Sequence, residues 1–373
     1  MKFDDTRELF PIVHRLLYFD AASLSPYSLP VMAALDKFEK ERRDTGSLHY
    51  DRWYEEIEKS RELAAKLTGA KTSEIALIKN TSEGVNLAAL ILDWKKGDNV
   101  VVSDLDFPAN IYPFLNLRKK GVDVRYTKSQ DGRVLAGDIE KEMDENTRLV
   151  SLSHVLYGNG FKVDLEGIGS LCEEKGVHFH VDATQSLGVL RTDVKKARVD
   201  FLSVAGYKWL LSPLGSGFFF VKKEFLDNSP ILGWQSVKDP LALDVHNYEV
   251  RDSARRFEIG NLDVSAFLGM AAALKLIDSI GIKKIEKRVL HLSSFLLEAL
   301  NDLGVEVISN FERENRSGII SFMNPGITKE DLIENDIIAT IREYVRFSPH
   351  IYNTEEDILK AVEVLKTMDV LHR

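Results

Sequence analysis

The sequence predicts an α/β protein: a large domain on a mainly parallel sheet, joined to a smaller α+β domain. Three observations carry that expectation. Short runs rich in Val, Ile and Phe alternate with longer amphipathic segments between residues 74 and 221, the pattern of strands joined by right-handed helical crossovers. Residues 177–221 then read as three strands separated by turns: Val177, Phe179 and Val181 alternate up to Asp182, Phe201-Leu202-Ser203-Val204 follow, and the Gly215-Ser216-Gly217 turn leads into Phe218-Phe219-Phe220-Val221. Finally, 373 residues of which 44% are hydrophobic are enough for one large core and a second, smaller one.

Taken in order, Leu17-Tyr18-Phe19-Asp20 reads as a strand running into the turn Ala21-Ala22-Ser23. Residues 30–43 and 52–67 read as amphipathic helices, the second lined by Leu63, Ala64 and Leu67 and stopped by Gly69. A strand over 74–79 meets the hydroxyl-rich turn Asn80-Thr81-Ser82-Glu83-Gly84 and a helix over 85–92. Such a turn offers an anion the free N–H groups of a helix start; capping by Ser or Thr is the plainer reading, and the two are compatible. Strands follow at 99–103, 122–126 and 148–153, with helices at 111–117 and 164–175. Beyond an irregular stretch over 226–247 come long helices at 264–280 and 282–303, strands at 305–308 and 318–322, a hairpin-like pair at 337–341 and 343–347, and a closing helix capped by Thr354. The expected division is a large domain over 20–245 and a small domain formed by both chain ends, 1–19 and 246–373.

Charge and composition exclude several function classes. Net charge is −9 and no long basic run occurs, which argues against nucleic acid and anionic membranes as partners. The single cysteine rules out an intramolecular disulfide framework and fits a reducing compartment. The first residues, MKFDDTRELFP, lack the apolar core of a signal peptide, and no apolar run approaches a membrane span. A cytoplasmic location is the expectation.

Two residues stand just past strand ends: Asp182, and Lys208 in Ala205-Gly206-Tyr207-Lys208-Trp209. Ligands of open α/β sheets bind at such ends. A salt bridge at the sheet edge is the plain reading of the pair. A lysine amine can also hold an aldehyde as a Schiff base, and a carboxylate can keep a pyridine nitrogen protonated. The motifs VDATQSLG and AGYKWLLSPLGSGF resemble those of the class V aminotransferases, fold-type I enzymes that use pyridoxal 5′-phosphate (PLP) and include cysteine desulfurases, kynureninases and isopenicillin N epimerase-like proteins.

The resemblance implies roles residue by residue. Lys208 carries the cofactor and Asp182 faces its ring nitrogen. Gln185 bonds the ring hydroxyl, Thr81 and Ser82 hold the phosphate, and Phe107 stacks on the ring. Tyr157 sits near the ring oxygen, and Tyr207 reaches the phosphate. Ala205 stands where many relatives have a phosphate-binding serine, one hydrogen bond fewer. The segment Arg255-Arg256-Phe257-Glu258-Ile259-Gly260-Asn261 resembles the one that reaches a dimer partner's phosphate, which makes Asn261 a cofactor ligand across a homodimer. Arg346 clamps the substrate carboxylate and Ser23 lies at the substrate mouth. His180, inside a strand, reads as a buried histidine.

The implied activity is chemistry at Cα of an amino acid, through a Schiff base to substrate and a carbanion. Transamination, epimerisation and lyase chemistry stay open, as does a non-catalytic protein of the same fold. Desulfurases usually carry histidine where Phe107 stands, and a thiol on a mobile loop of the small domain. The matching NDIIATIREY segment has no cysteine, and Cys172 lies in a helix of the large domain.

Overall fold

The computed structural model describes residues 3–368. Its strands are β1 (Leu17–Tyr18), β2 (Ile75–Ile78), β3 (Asn99–Ser103), β4 (Asp123–Thr127), β5 (Thr147–Ser153), β6 (His178–Asp182), β7 (Phe201–Ala205) and β8 (Gly217–Val221). The later strands are β9 (Ile320–Met323), β10 (Ile337–Ile338), β11 (Thr340–Ile341) and β12 (Tyr344–Phe347). β2 to β8 form one sheet in the order β2-β8-β7-β6-β5-β3-β4. β8 pairs antiparallel with β7 and β2, and every other pairing is parallel. The reversal follows from chain length: only residues 206–216 connect β7 to β8, too few for a crossover helix. Gly217 lets β8 close on β7, since a Cβ there would lie 2.3 Å from the Val204 carbonyl oxygen.

The sheet is apolar on both faces, as the unbroken runs in β3, β7 and β8 require. Val101, Phe218 and Phe220 join the core that contains Ile57, Phe179 and Met270. Their neighbours Val100, Val102 and Phe219 join a second core with Val85, Phe114 and Phe257. This alternation is the period-two pleat read directly from packing. A third core gathers Phe19, Leu292, Leu296, Phe322, Val345, Phe347, Ile358 and Leu365 around the antiparallel sheet β11-β12-β9.

These cores move the expected boundary at 245/246. The helix Val264–Ile280 packs Phe267, Met270 and Ile277 into the first core, not the third. The helix Ile282–Leu303 spans both: Ile285 and Val289 lie in the first core, Leu292 to Leu300 in the third. At the other end Phe10 and Val13 belong to the first core and Phe19 to the third. The boundary therefore runs through a helix, which no change of composition marks.

Two further expectations change. Residues 305–308 do not form a strand; Val307 makes an isolated bridge to Phe322. The run 337–341 divides, because β10 leaves to pair in parallel with β1 while β11 pairs with β12. That division ties the N-terminal segment to the small unit. Arg7 adds a second tie, 2.7 Å from Asp357 in the first turn of the helix Glu355–Thr367, which Thr354 caps as its sequence indicates.

Glu258 anchors the segment after the irregular stretch. Its carboxylate accepts from the Leu77 backbone N–H at 2.7 Å and pairs with both terminal nitrogens of Arg61, which also donates to the Ile75 carbonyl at 2.8 Å. Arg61 and Glu258 are both buried, so Arg255 to Asn261 is more than a surface turn. Removing one partner of a buried pair leaves a charge without compensation. Glu258→Ala should lower unfolding free energy by about 3 kcal/mol, read from the denaturant midpoint. A joint Arg61→Met, Glu258→Leu variant should recover most of that loss.

Candidate active site

The parallel strands end on one edge, and register sets their last residues side by side: Ser153 opposite Asp182, and Asp182 opposite Ser203. The loops leaving β2, β3, β5, β6 and β7 therefore converge there. They line a narrow cleft of about 70 Å³ that contains Thr81, Ser82, Phe107, Tyr157, Asp182, Gln185, Tyr207 and Lys208. Eight positions chosen from the sequence thus meet in one place, although they span more than a hundred residues of chain.

Burial sets the electrostatics of this cleft. Lys208 is held down to about 8, chiefly by desolvation; the Asp182 carboxylate opposes that shift and Arg346 adds to it. Its Nζ lies 5.6 Å from the Phe107 ring centroid and 5.8 Å from that of Tyr207. Asp182 is raised by burial, against the hydrogen bonds from Thr184, whose N–H reaches its Oδ1 at 2.9 Å, and the pull of Lys208. A second buried carboxylate, Asp106, is pushed up to about 7 by desolvation, with the Asp182 charge adding to it. Asp106 accepts from the Ser153 N–H at 3.0 Å and from Asn110 at 3.2 Å. His180 lies beneath, bonded through its two ring nitrogens to Ser151 at 2.7 Å and Ser203 at 2.9 Å, and burial depresses it to about 3. It is a neutral core histidine.

At the other end of the cleft, the helix Thr81–Ile91 begins. Its cap is Asn80, which accepts from the Glu83 N–H at 3.0 Å, and not a serine or threonine. Thr81 and Ser82 are thereby left inside the first turn, and neither hydroxyl is spent on the cap. Thr81 instead bonds the Thr184 hydroxyl, which accepts from the Ala205 N–H at 3.3 Å. A hydroxyl pair thus stands beside Ala205, where relatives' serine was missed in the sequence.

Gln185 lines the cleft with its amide partly engaged. Its Nε2 donates to the Ala22 carbonyl at 3.0 Å and its Oε1 accepts from the Trp209 indole at 2.8 Å. One amide hydrogen remains for a ligand oxygen. Phe107 is 38% exposed, so it is not a core residue, and it meets Tyr157 edge to face at 5.2 Å.

Arg346 stands behind Tyr157. It is 3% exposed, donates from Nη1 to the Tyr157 carbonyl at 2.8 Å, and donates from Nη2 to Ser23 at 2.6 Å and Thr340 at 2.9 Å. Asp20, at 3.7 Å, is its nearest carboxylate, and its Nε–H has no partner. Ser23 therefore orients the arginine, a role the turn sequence did not disclose. Asn261 does not line the cleft. It borders a neighbouring surface depression with Lys79, Asn80 and Gly215.

The sequence reading gave no role to Thr184, Thr340 or Asp106. Thr184 sits within the VDATQSLG motif, two residues after Asp182, and Asp106 immediately precedes Phe107. Thr340 carries no local sign, because only the pairing of β11 with β12 sets it opposite Arg346.

These residues fit PLP. A buried carboxylate short of a cation suits a protonated ring nitrogen, a lysine held near 8 suits an aldehyde, and a helix start with the Ser82 hydroxyl uncommitted suits a phosphate. The family model for class-V aminotransferases matches residues 17–360. A probable cysteine desulfurase of Methanothermobacter thermautotrophicus is 32% identical, covering 98% of both chains. A kynureninase of Bacillus anthracis is 28% identical over 94% of this chain and 87% of its own. The apo structure of a cysteine desulfurase from Thermococcus onnurineus NA1 superposes with a TM-score of 0.88 at 28% identity, covering 97% of each chain. The chain belongs to the class-V aminotransferase family and is a PLP-dependent enzyme.

Proposed function

We propose that this enzyme acts at Cα of an α-amino acid and forms no covalent thiol intermediate. The observation that carries the reading is a cleft lysine held near 8 with a buried arginine that stands directly behind the cleft's Tyr157, holds its carbonyl and has an Nε–H without a partner. When bound, PLP supplies an electron sink for negative charge at Cα. The Lys208 amine, neutral in large part at mild alkaline pH, takes the Cα proton and can return it. Asp182 holds a proton at the ring nitrogen it faces. Arg346, oriented by Ser23 and Thr340, holds the α-carboxylate through its fork of donors. Phe107 and Tyr157 cover the cleft and exclude water.

Sulfur chemistry is the second reading, favoured by the relatives named as cysteine desulfurases. A persulfide mechanism needs an exposed, ionisable thiol. Cys172 is buried in the helix Leu165–Lys175 and burial pushes its thiol up to about 12. A lyase that releases sulfur or selenium without that thiol is compatible with the cleft. The position of Asn261 outside its own chain's cleft supports a homodimer in which it serves the partner's cofactor.

The central test is attachment. Borohydride reduction of the PLP-loaded protein followed by peptide mapping should find the pyridoxyl group on Lys208 and on no other lysine. Because burial holds this amine below its ordinary value, cofactor capture by the apo protein should accelerate as pH rises and level off above about pH 8; a rate still climbing at pH 10 would contradict the assignment. Incubation with cysteine should leave no protein-bound persulfide, and Cys172→Ser should turn over as the parent does. Sedimentation should give a dimer, and Asn261→Ala should weaken PLP retention without changing that state. A monomer that retains PLP would remove Asn261 from the site.

A further inference from the structure

Arg342 stands at the tip of the hairpin between β11 and β12, four residues before Arg346. Its guanidinium carbon lies 5.5 Å from the Tyr157 ring centroid, while Arg346 holds the carbonyl of that same residue. Tyr157 is thus bracketed by two guanidinium groups, one on its ring and one on its backbone. Among the described residues no carboxylate lies within ion-pair distance of Arg342. Asp20, the acid nearest Arg346, already accepts from Thr340 at 2.6 Å.

A third polar group is close by. Tyr344 follows the turn on β12, and its hydroxyl has no hydrogen-bond partner. That oxygen lies against Gly158, the residue after Tyr157, where a Cβ would approach it to 3.6 Å. Tyr157, which lines the cleft, is therefore flanked by an exposed arginine on its ring, and by a buried arginine and a buried, unpartnered hydroxyl behind it. Lys208, held down first by burial, is lowered further by both Arg346 and Arg342. Arg346 has Asp20 at 3.7 Å, whereas Arg342 is exposed and has no such partner among the described residues, so Arg342 is the guanidinium left for a second anion.

We propose that Arg342 is a second anion-binding residue and that the substrate is an α-amino acid whose side chain ends in a carboxylate. The inference rests on the cleft being an amino-acid site with Arg346 as its α-carboxylate clamp. Arg342 takes the side-chain carboxylate. The exposure of Arg342 suits this use, because a guanidinium at the rim meets the ligand last and discriminates by charge.

Glutarate and its monoamide, glutaramate, test the idea without turnover, since neither has an amine and they differ in one charge. Dissociation constants are read on the PLP-loaded protein from the cofactor absorbance and from calorimetry. Glutarate should bind about ten-fold more tightly than glutaramate. Arg342→Gln should reduce that ratio to about one while leaving glutaramate within about two-fold of the parent. Arg342→Lys should keep part of the preference, and Arg346→Ala should weaken both ligands. Equal binding of the two by the parent, or a preference that survives Arg342→Gln, would overturn the proposal while leaving the amino-acid site standing. If neither ligand binds, this inference falls; if in addition no member of an amino-acid panel alters the absorbance, the amino-acid reading falls with it.

Discussion

The site depends on keeping Asp182 inside the protein at the end of β6. Its carboxylate is buried and accepts from Thr184, and burial still prevails over those bonds and over the lysine opposite. A buried carboxylate in that condition is costly unless a cation faces it. Asp106, whose value burial brings to about 7, is the safety valve. Two neighbouring carboxylates do not both ionise cheaply, and both are raised here, chiefly by burial. The neutral His180 below, bonded to Ser151 and Ser203, adds no charge to this edge. The polar layer under the cleft is thus built to leave the choice of charge to Asp182 and Lys208.

The second constraint is topological. The cleft draws its acid and lysine from the large sheet, but Arg346 comes from β12 of the small one. What joins them is the N-terminal segment. β1 pairs with β10, Asp20 bridges Ser348, and Ser23 bonds Arg346 and lies 2.8 Å from the Thr340 hydroxyl. Motion of the small sheet would therefore carry the arginine and its orienting serine together. A substrate carboxylate would meet a guanidinium whose direction is already set, which reduces the ordering cost of binding.

How much of this was legible in the sequence follows from the range over which each residue acts. Asp182, Gln185, Tyr207 and Lys208 lie at strand ends in local motifs, so strand pattern and residue type place them together. Thr81 and Ser82 were legible as the start of a helix, although the cap itself is Asn80. Ser23 was read as a substrate residue; its bond to Arg346 depends on contact across most of the chain and has no local pattern. Thr340 and Arg342 were invisible for the same reason, since hairpin register alone gives them neighbours. The domain boundary was misjudged because the helix Ile282–Leu303 serves two cores with one continuous amphipathic face.

These ranges also separate what the fold determines from what it leaves open. The lysine and the acid that PLP chemistry needs stand past the ends of adjacent strands, positions that the parallel sheet fixes. A solved cysteine desulfurase shares this fold, and a kynureninase matches over most of the chain, so the fold cannot tell their reactions apart. The differences must lie in residues that reach the cleft from outside the sheet. In this chain those are Phe107 and Tyr157 on its loops and the β11–β12 hairpin with Arg342, Tyr344 and Arg346. A thiol is missing from that hairpin, and the one cysteine is sealed in a helix where burial keeps it protonated. The hairpin thus brings guanidinium groups and no thiol to the side of Tyr157.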